Sequence, residues 1–85
     1  MINVLLVEDN EIVRSGLSRV LSESAVIQVC GQAENGLVAL NLLRDGLNVE
    51  VIVADLNMPV MDGFELIAAL NVEFPKLPVV IHTMH

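Results

Sequence analysis

Short aliphatic runs at residues 3–7, 26–30, 51–54 and 79–81 alternate with segments whose apolar residues recur at helical spacing, and no linker or low-complexity stretch interrupts the pattern. A strand followed by a helix and then another strand returns the chain to the same edge of its sheet. The alternation therefore predicts an α/β fold, a parallel sheet with flanking helices. The run Val51, Ile52, Val53, Ala54 lacks the polar alternation of a half-exposed strand. It is expected at the centre of the sheet, buried on both faces.

The segments between the runs carry their own punctuation. Ile12, Val13, Leu17, Val20 and Leu21 follow Glu8, Asp9 and Asn10 at helical spacing, with Asn10 as the N-cap. Gly16 shares a face with Ile12 and Val20, which predicts a close approach of this helix to the sheet. A second helix is expected over residues 37–43, stopped by Asp45 and Gly46. A third runs through Phe64, Ile67 and Leu70 after a loop containing Met58, Pro59, Met61, Asp62 and Gly63, and Pro75 and Pro78 lie beyond its end. Met58 and Met61 are expected to be packing residues.

Eighty-five residues with 54% hydrophobic and 2% aromatic content fit one small domain, 1–85, with a core of Leu, Val and Ile. Four basic residues against eleven acidic ones leave a net charge of −7, which disfavours nucleic-acid backbones and anionic membranes as direct partners. No apolar run reaches membrane-spanning length, and the first one leads straight into Glu8 and Asp9. Cytoplasmic residence is the resulting expectation. Cys30, the single cysteine, is expected to be a small core residue, and no zinc-site spacing occurs.

In an open parallel sheet, ligands bind outside the carboxyl ends of the strands. Three such ends carry Glu8 with Asp9, Asp55, and Thr83. If the first, third and fourth strands are neighbours, these groups converge. Three crowded carboxylates need a hard cation, and oxygen ligands suit Mg²⁺. Phosphoryl transfer fits the set, because a carboxylate such as Asp55 is an established nucleophile and the Thr83 hydroxyl can donate to a phosphoryl oxygen. Singly, each residue has a plainer role: acids favour a helix N-terminus, Asp55 can cap a turn, and Thr83 suits a strand. His82 and His85 are expected to be exposed or partly packed imidazoles. The joint placement is what favours the site.

At these residues the sequence resembles the receiver domain of two-component response regulators. Residues 7–10 (Val-Glu-Asp-Asn) are similar to the family's acidic metal motif, and residues 53–63, from Val53 through Asp55 to Gly63, are similar to its phosphoacceptor strand and loop. Residues 79–83 resemble the strand that delivers the hydroxyl residue, and residues 12–17 resemble the branch with LuxR-type helix-turn-helix output domains. The resemblance implies a flavodoxin-like sheet in which Asp55 accepts a phosphoryl group from a sensor histidine kinase. Asp9 would bind Mg²⁺ directly, Glu8 through water and Asn57 through its backbone carbonyl, while Thr83 would bind the phosphoryl group. Asn57 and His85 match positions that tune dephosphorylation; Met84 stands where the family usually has a small residue. Such a domain is a regulatory phosphoacceptor and not an enzyme in its own right.

The family's fifth-strand lysine, its aromatic switch residue and its fourth and fifth helices have no counterpart in the sequence, and Lys76, ahead of the fourth strand, does not replace the lysine. The chain reads as a receiver truncated before the fifth strand. An uncovered fourth strand predicts a homodimer through that edge. The alternative is thus a signalling-incompetent fragment that self-associates, a reading that Leu37, Val38 and Leu42 favour as surplus apolar residues. A stand-alone Mg²⁺-dependent phosphatase is disfavoured because Asn57, not an acid, stands two residues after Asp55.

Overall fold

The computed structural model describes residues 1–82. Along the chain lie β1 (Ile2–Val7), α1 (Glu11–Ser22), β2 (Ile27–Ala33), α2 (Gly36–Arg44), β3 (Val51–Asp55), α3 (Gly63–Glu73) and β4 (Val79–His82). All neighbouring strands pair in parallel, in the order β2-β1-β3-β4. The first, third and fourth strands are neighbours, which is the condition for convergence of their ends.

Helix boundaries follow their capping residues. Asn10 Oδ1 accepts from the N–H groups of Ile12 and Val13 at 2.9 and 3.0 Å, closing the start of α1. Asn35 does the same for α2 through the Val38 N–H at 2.9 Å. Asp45 ends α2, and Gly46 follows at φ 98°, a conformation natural to glycine after a helix. Asp62 and Glu65 form a reciprocal capping box at the start of α3. β2 runs to Ala33, three residues beyond the expected end at Cys30. A register shift between Val4 and Leu5 lets Gly31 and Gln32 continue the pairing with Leu5 and Leu6. Neither residue extends an apolar pattern, so hydropathy carries no sign of that continuation.

α2 and α3 cover one face of the sheet. Leu5, Val7, Ile52 and Ala54 point into a core completed by Leu40, Leu43, Leu66 and Leu70, with Met58 buried and Met61 packed alongside. Each fully buried Leu or Ile contributes about 1.5–3 kcal/mol relative to exposure. Val38 and Leu42 pack against this core, so of the surplus apolar residues only Leu37 is exposed. The buried face of α3 is formed by Gly63, Leu66 and Leu70, whereas Phe64 is 67% exposed.

The opposite face carries α1, which packs on β2 and β1. Val4 and Leu6 are buried there, but Val51 and Val53 of β3 are only partly covered. β3 is thus central without being fully buried on both faces, because α1 reaches only half of the sheet. Cys30 is also only half-buried, its Sγ lying 3.4 Å from the Val4 carbonyl oxygen and 3.6 Å from that of Asn48.

The expected role of Gly16 is overturned. Val13, Leu17 and Leu21 face the sheet, whereas Ile12 and Val20 are exposed, and a Cβ on Gly16 would meet nothing within 4 Å. With no contact to lose, the propensity term governs. Gly16→Ala is therefore expected to stabilise the chain by about 0.5–1 kcal/mol, measured as a higher urea midpoint at unchanged slope.

Candidate functional site

Strand register assembles the site. Val7, Ala54 and Ile81 are mutual neighbours across β1, β3 and β4, and the next residue along each strand is Glu8, Asp55 or His82. Asp55 and His82 are direct register partners. Since side chains alternate along a strand, this row projects away from the core-facing residues that precede it. Glu8 and Asp55 are 2% and 3% exposed, and they are the buried charged residues among those described. Asp9, one residue beyond Glu8, is exposed. Carboxylate oxygens of Glu8, Asp9 and Asp55 lie within 4.8 Å of one another.

Local hydrogen bonds hold these acids in place. The Glu8 N–H donates to the Ala33 carbonyl at 3.0 Å, carrying β1–β2 pairing to the site's edge. Glu8 Oε2 accepts from the Asn10 N–H at 2.9 Å. Arg14 Nη1 donates to the Glu8 carbonyl oxygen at 2.8 Å, so its charge stands beside the acids without engaging their carboxylates. Asp55 Oδ1 accepts from the Asn57 N–H at 3.1 Å, a turn that starts the loop to α3. Asp55 therefore also has the plain turn-capping role.

That loop is tightly fixed. A Cβ on Gly63 would lie 2.8 Å from the Asp55 carbonyl oxygen and 2.8 Å from Leu56 Cα, so only glycine lets α3 begin against the end of β3. The Gly36 N–H donates to the Met61 carbonyl at 3.1 Å, tying the loop to α2. At its tip Val60 has φ 72°, a left-handed conformation that is strained for a β-branched residue.

The electrostatics follow from the crowding. Burial, above all, raises the Glu8 pKa above its ordinary 4.5; a side-chain hydrogen bond with Asp9 and the charges of Asp55 and Asp9 add to the rise, and the Asn10 N–H opposes it. The basic group nearest the carboxylates is His82, with Nε2 at 3.9 Å from Glu8 Oε1. An all-oxygen donor set of three acids without a paired Lys or Arg among the described residues fits a hard divalent cation such as Mg²⁺. Thr83, Met84 and His85 lie outside the described residues.

A shallow cleft lined by Leu47, Val49, Phe74 and Leu77 lies at the opposite edge, where the chain enters β3 and β4. It holds no acid cluster of this kind.

Residues 4–85 match the response regulator receiver domain. The chain belongs to that family. It is 38% identical over 84 residues to the response regulator GacA of Pseudomonas aeruginosa, an alignment covering 99% of this chain and 39% of GacA. The isolated receiver domain of RcsB from Salmonella enterica serovar Typhimurium, solved with the phosphomimetic BeF3−, superposes with a TM-score of 0.88 at 31% identity. That superposition covers 99% of this chain and 62% of the other. A LuxR-family response regulator from Aurantimonas sp. SI85-9A1 gives a TM-score of 0.89 at 28% identity, covering 98% of this chain and 59% of the other. The parallel sheet is the flavodoxin-like receiver fold, and the chain spans about 39% of the GacA relative.

Two residues beside the acids were not anticipated as parts of the site. Arg14 reaches it from the first turn of α1, a helix position six residues past Glu8. His82 reaches it through the register of β4 against β3. The first would have been found by extending the capped helix one turn, and the second by aligning Asp55 with the residue before Thr83.

Proposed function

We propose that residues 1–85 form a partial receiver domain that takes a phosphoryl group onto Asp55 from a sensor histidine kinase or phosphotransfer protein. The observation that carries the reading is the burial of the Asp55 carboxylate, in register with Glu8 and clustered with Asp9, at the carboxyl edge of the sheet. The likeness to the RcsB receiver domain, solved in the presence of a phosphomimetic, supports it. Glu8, Asp9 and Asp55, with the backbone carbonyl of Asn57, would hold Mg²⁺. When bound, that ion offsets charge on the phosphoryl oxygens and keeps the acids ionised together.

An Asp55 carboxylate oxygen attacks phosphorus, and the new O–P bond forms as the donor's bond to phosphorus breaks. The departing histidine nitrogen, or carboxylate of an acyl phosphate, takes the electron pair. Asn57 N–H steadies the Asp55 carboxylate through Oδ1. Thr83 would donate its hydroxyl to a phosphoryl oxygen, and Asn57 and His85 would set how quickly the acyl phosphate is hydrolysed. The role is regulatory, exercised in the cytoplasm and, as in the LuxR-type branch, through an output domain that governs transcription. The net charge of −7 argues against direct nucleic-acid contact by this segment. No helix of the described residues is long and apolar enough to cross a membrane. Incubation with acetyl phosphate and Mg²⁺, followed by intact-mass measurement of the wild type and Asp55→Asn, tests the assignment.

A second reading, self-association, is favoured by one apolar strip. Val80 of β4 is 54% exposed and shares its sheet face with the half-covered Val53. Ile12 and Val20 of α1 are exposed as well. We propose a symmetric homodimer that buries the β4 edge and this strip. Sedimentation at micromolar concentration is expected to show a dimer that Val80→Lys converts to monomer. A wild type that stays monomeric throughout would exclude it.

A further inference from the structure

His82 is a partly buried residue with both ring nitrogens buried, and the proposed chemistry leaves it unused. Its side chain is 16% exposed, and neither Nδ1 nor Nε2 has a hydrogen-bond partner among the described residues. Two unpartnered ring nitrogens at the end of an otherwise aliphatic strand carry a desolvation cost that Val or Leu would avoid. The row formed by strand register supplies the reason. His82 sits directly beside Asp55, and its Nε2 lies 3.9 Å from Glu8 Oε1. Of the two Glu8 oxygens, Oε2 is already fixed by the Asn10 N–H at 2.9 Å. Oε1, the oxygen near His82, accepts no hydrogen bond from an N–H group of the described residues.

We propose that His82 is a positioning residue that orients Glu8 for the divalent cation, donating its Nε2–H to Glu8 Oε1; the inference rests on reading Glu8, Asp9 and Asp55 as the Mg²⁺ site. A displacement of about 1 Å at the tip of either side chain brings the pair to hydrogen-bond length, and contacts of this kind commonly tighten once a site is filled. With both oxygens of Glu8 held, by Asn10 on one side and His82 on the other, the carboxylate plane is set and its burial is compensated. A neutral imidazole does this without adding a full positive charge. Lysine in the same place would repel the cation it served. Donors behind a metal ligand act in this way, and their loss commonly weakens metal affinity by about 10- to 100-fold.

The test is Mg²⁺ titration by calorimetry. Wild type, His82→Leu, His82→Gln and the same substitutions on a Glu8→Gln background are compared, with Asp9→Asn as the site control. Glutamine places an amide N–H where Nε2 stands. His82→Leu is expected to weaken Mg²⁺ binding by about tenfold or more, and His82→Gln to stay within about threefold of wild type. On the Glu8→Gln background, His82→Leu is expected to add little further loss, because the two residues act as one unit. Should the leucine variant not fold, His82→Val, matching Val79 and Val80 of the same strand, reads the same quantity. Equal affinity in wild type and His82→Leu overturns the proposal, as does a glutamine variant as weak as the leucine one, or a full additional loss on the Glu8→Gln background. Failure of the wild type to bind Mg²⁺ in an Asp9-dependent way overturns the metal site itself and the proposal with it.

Discussion

Mg²⁺ is expected to raise the thermal unfolding midpoint of this chain by roughly 10–20 °C when present at about 100 times its dissociation constant. The acids converge only in the folded state, through the register of β1 and β3, so a cation held by them would bind the native chain and have no comparable site on the unfolded one. At that excess the linkage is worth about 2.7 kcal/mol, and a domain of this size shifts by roughly 4–8 °C per kcal/mol. Asp9→Asn is expected to remove most of the increment. An unchanged midpoint across a broad Mg²⁺ titration would contradict the site.

The same site fixes the sign of a pH effect. Glu8 holds its proton more tightly when folded than the ordinary value of 4.5 allows, chiefly because it is buried and also because Asp9 and Asp55 stand beside it. Between 4.5 and that raised value the native state binds more protons than the unfolded state, so metal-free stability falls as pH rises through this window. Above the raised value the penalty is complete. Glu8→Gln is therefore expected to raise the metal-free midpoint at neutral pH, with the gain shrinking as pH falls toward 4.5. With Mg²⁺ present the same substitution reduces the increment. Opposite signs with and without cation separate a metal-binding acid from one held for packing.

Much of this was legible in the residues. The alternation of aliphatic runs and helical periods foretold a parallel sheet, and the acids at the ends of residues 3–7 and 51–54 foretold which carboxylates would cluster at its edge. The reading stopped where a pattern is ambiguous about direction. Ile12, Gly16 and Val20 form as regular an apolar row as Val13, Leu17 and Leu21, and only packing on β2 and β1 decides which row faces inward. Phe64 is likewise exposed on α3 while Leu66 is buried, a choice that packing against the core decides. The end of β2 was hidden for another reason: Gly31 and Gln32 extend the strand through backbone pairing, which leaves no mark on hydropathy.

Site residues divide along the same line. Glu8, Asp9 and Asp55 announce themselves as acids after apolar runs, whereas Arg14 and His82 matter through a helix turn and a strand register that a linear reading does not display. Val60, at φ 72°, carries no signal at all in its residue type, since a β-branched side chain argues against that conformation. It is held there by the contacts of the loop, including the Met61 N–H to Pro59 carbonyl bond at 2.9 Å.

The largest effect expected of any substitution is complete loss of phosphoryl labelling in Asp55→Asn. Asparagine keeps an oxygen for the Asn57 N–H and preserves the turn, so the variant is expected to fold, but it has no anionic oxygen to attack phosphorus. Neither neighbouring acid is placed to substitute. Glu8 is buried with one oxygen committed to the Asn10 N–H, and Asp9 is exposed beyond the strand end. Intact-mass measurement after incubation with acetyl phosphate is the most direct test. The expected result is one added phosphoryl group on the wild type, dependent on Mg²⁺ and abolished by chelation, and none on Asp55→Asn. Labelling of Asp55→Asn to the wild-type extent would contradict the account.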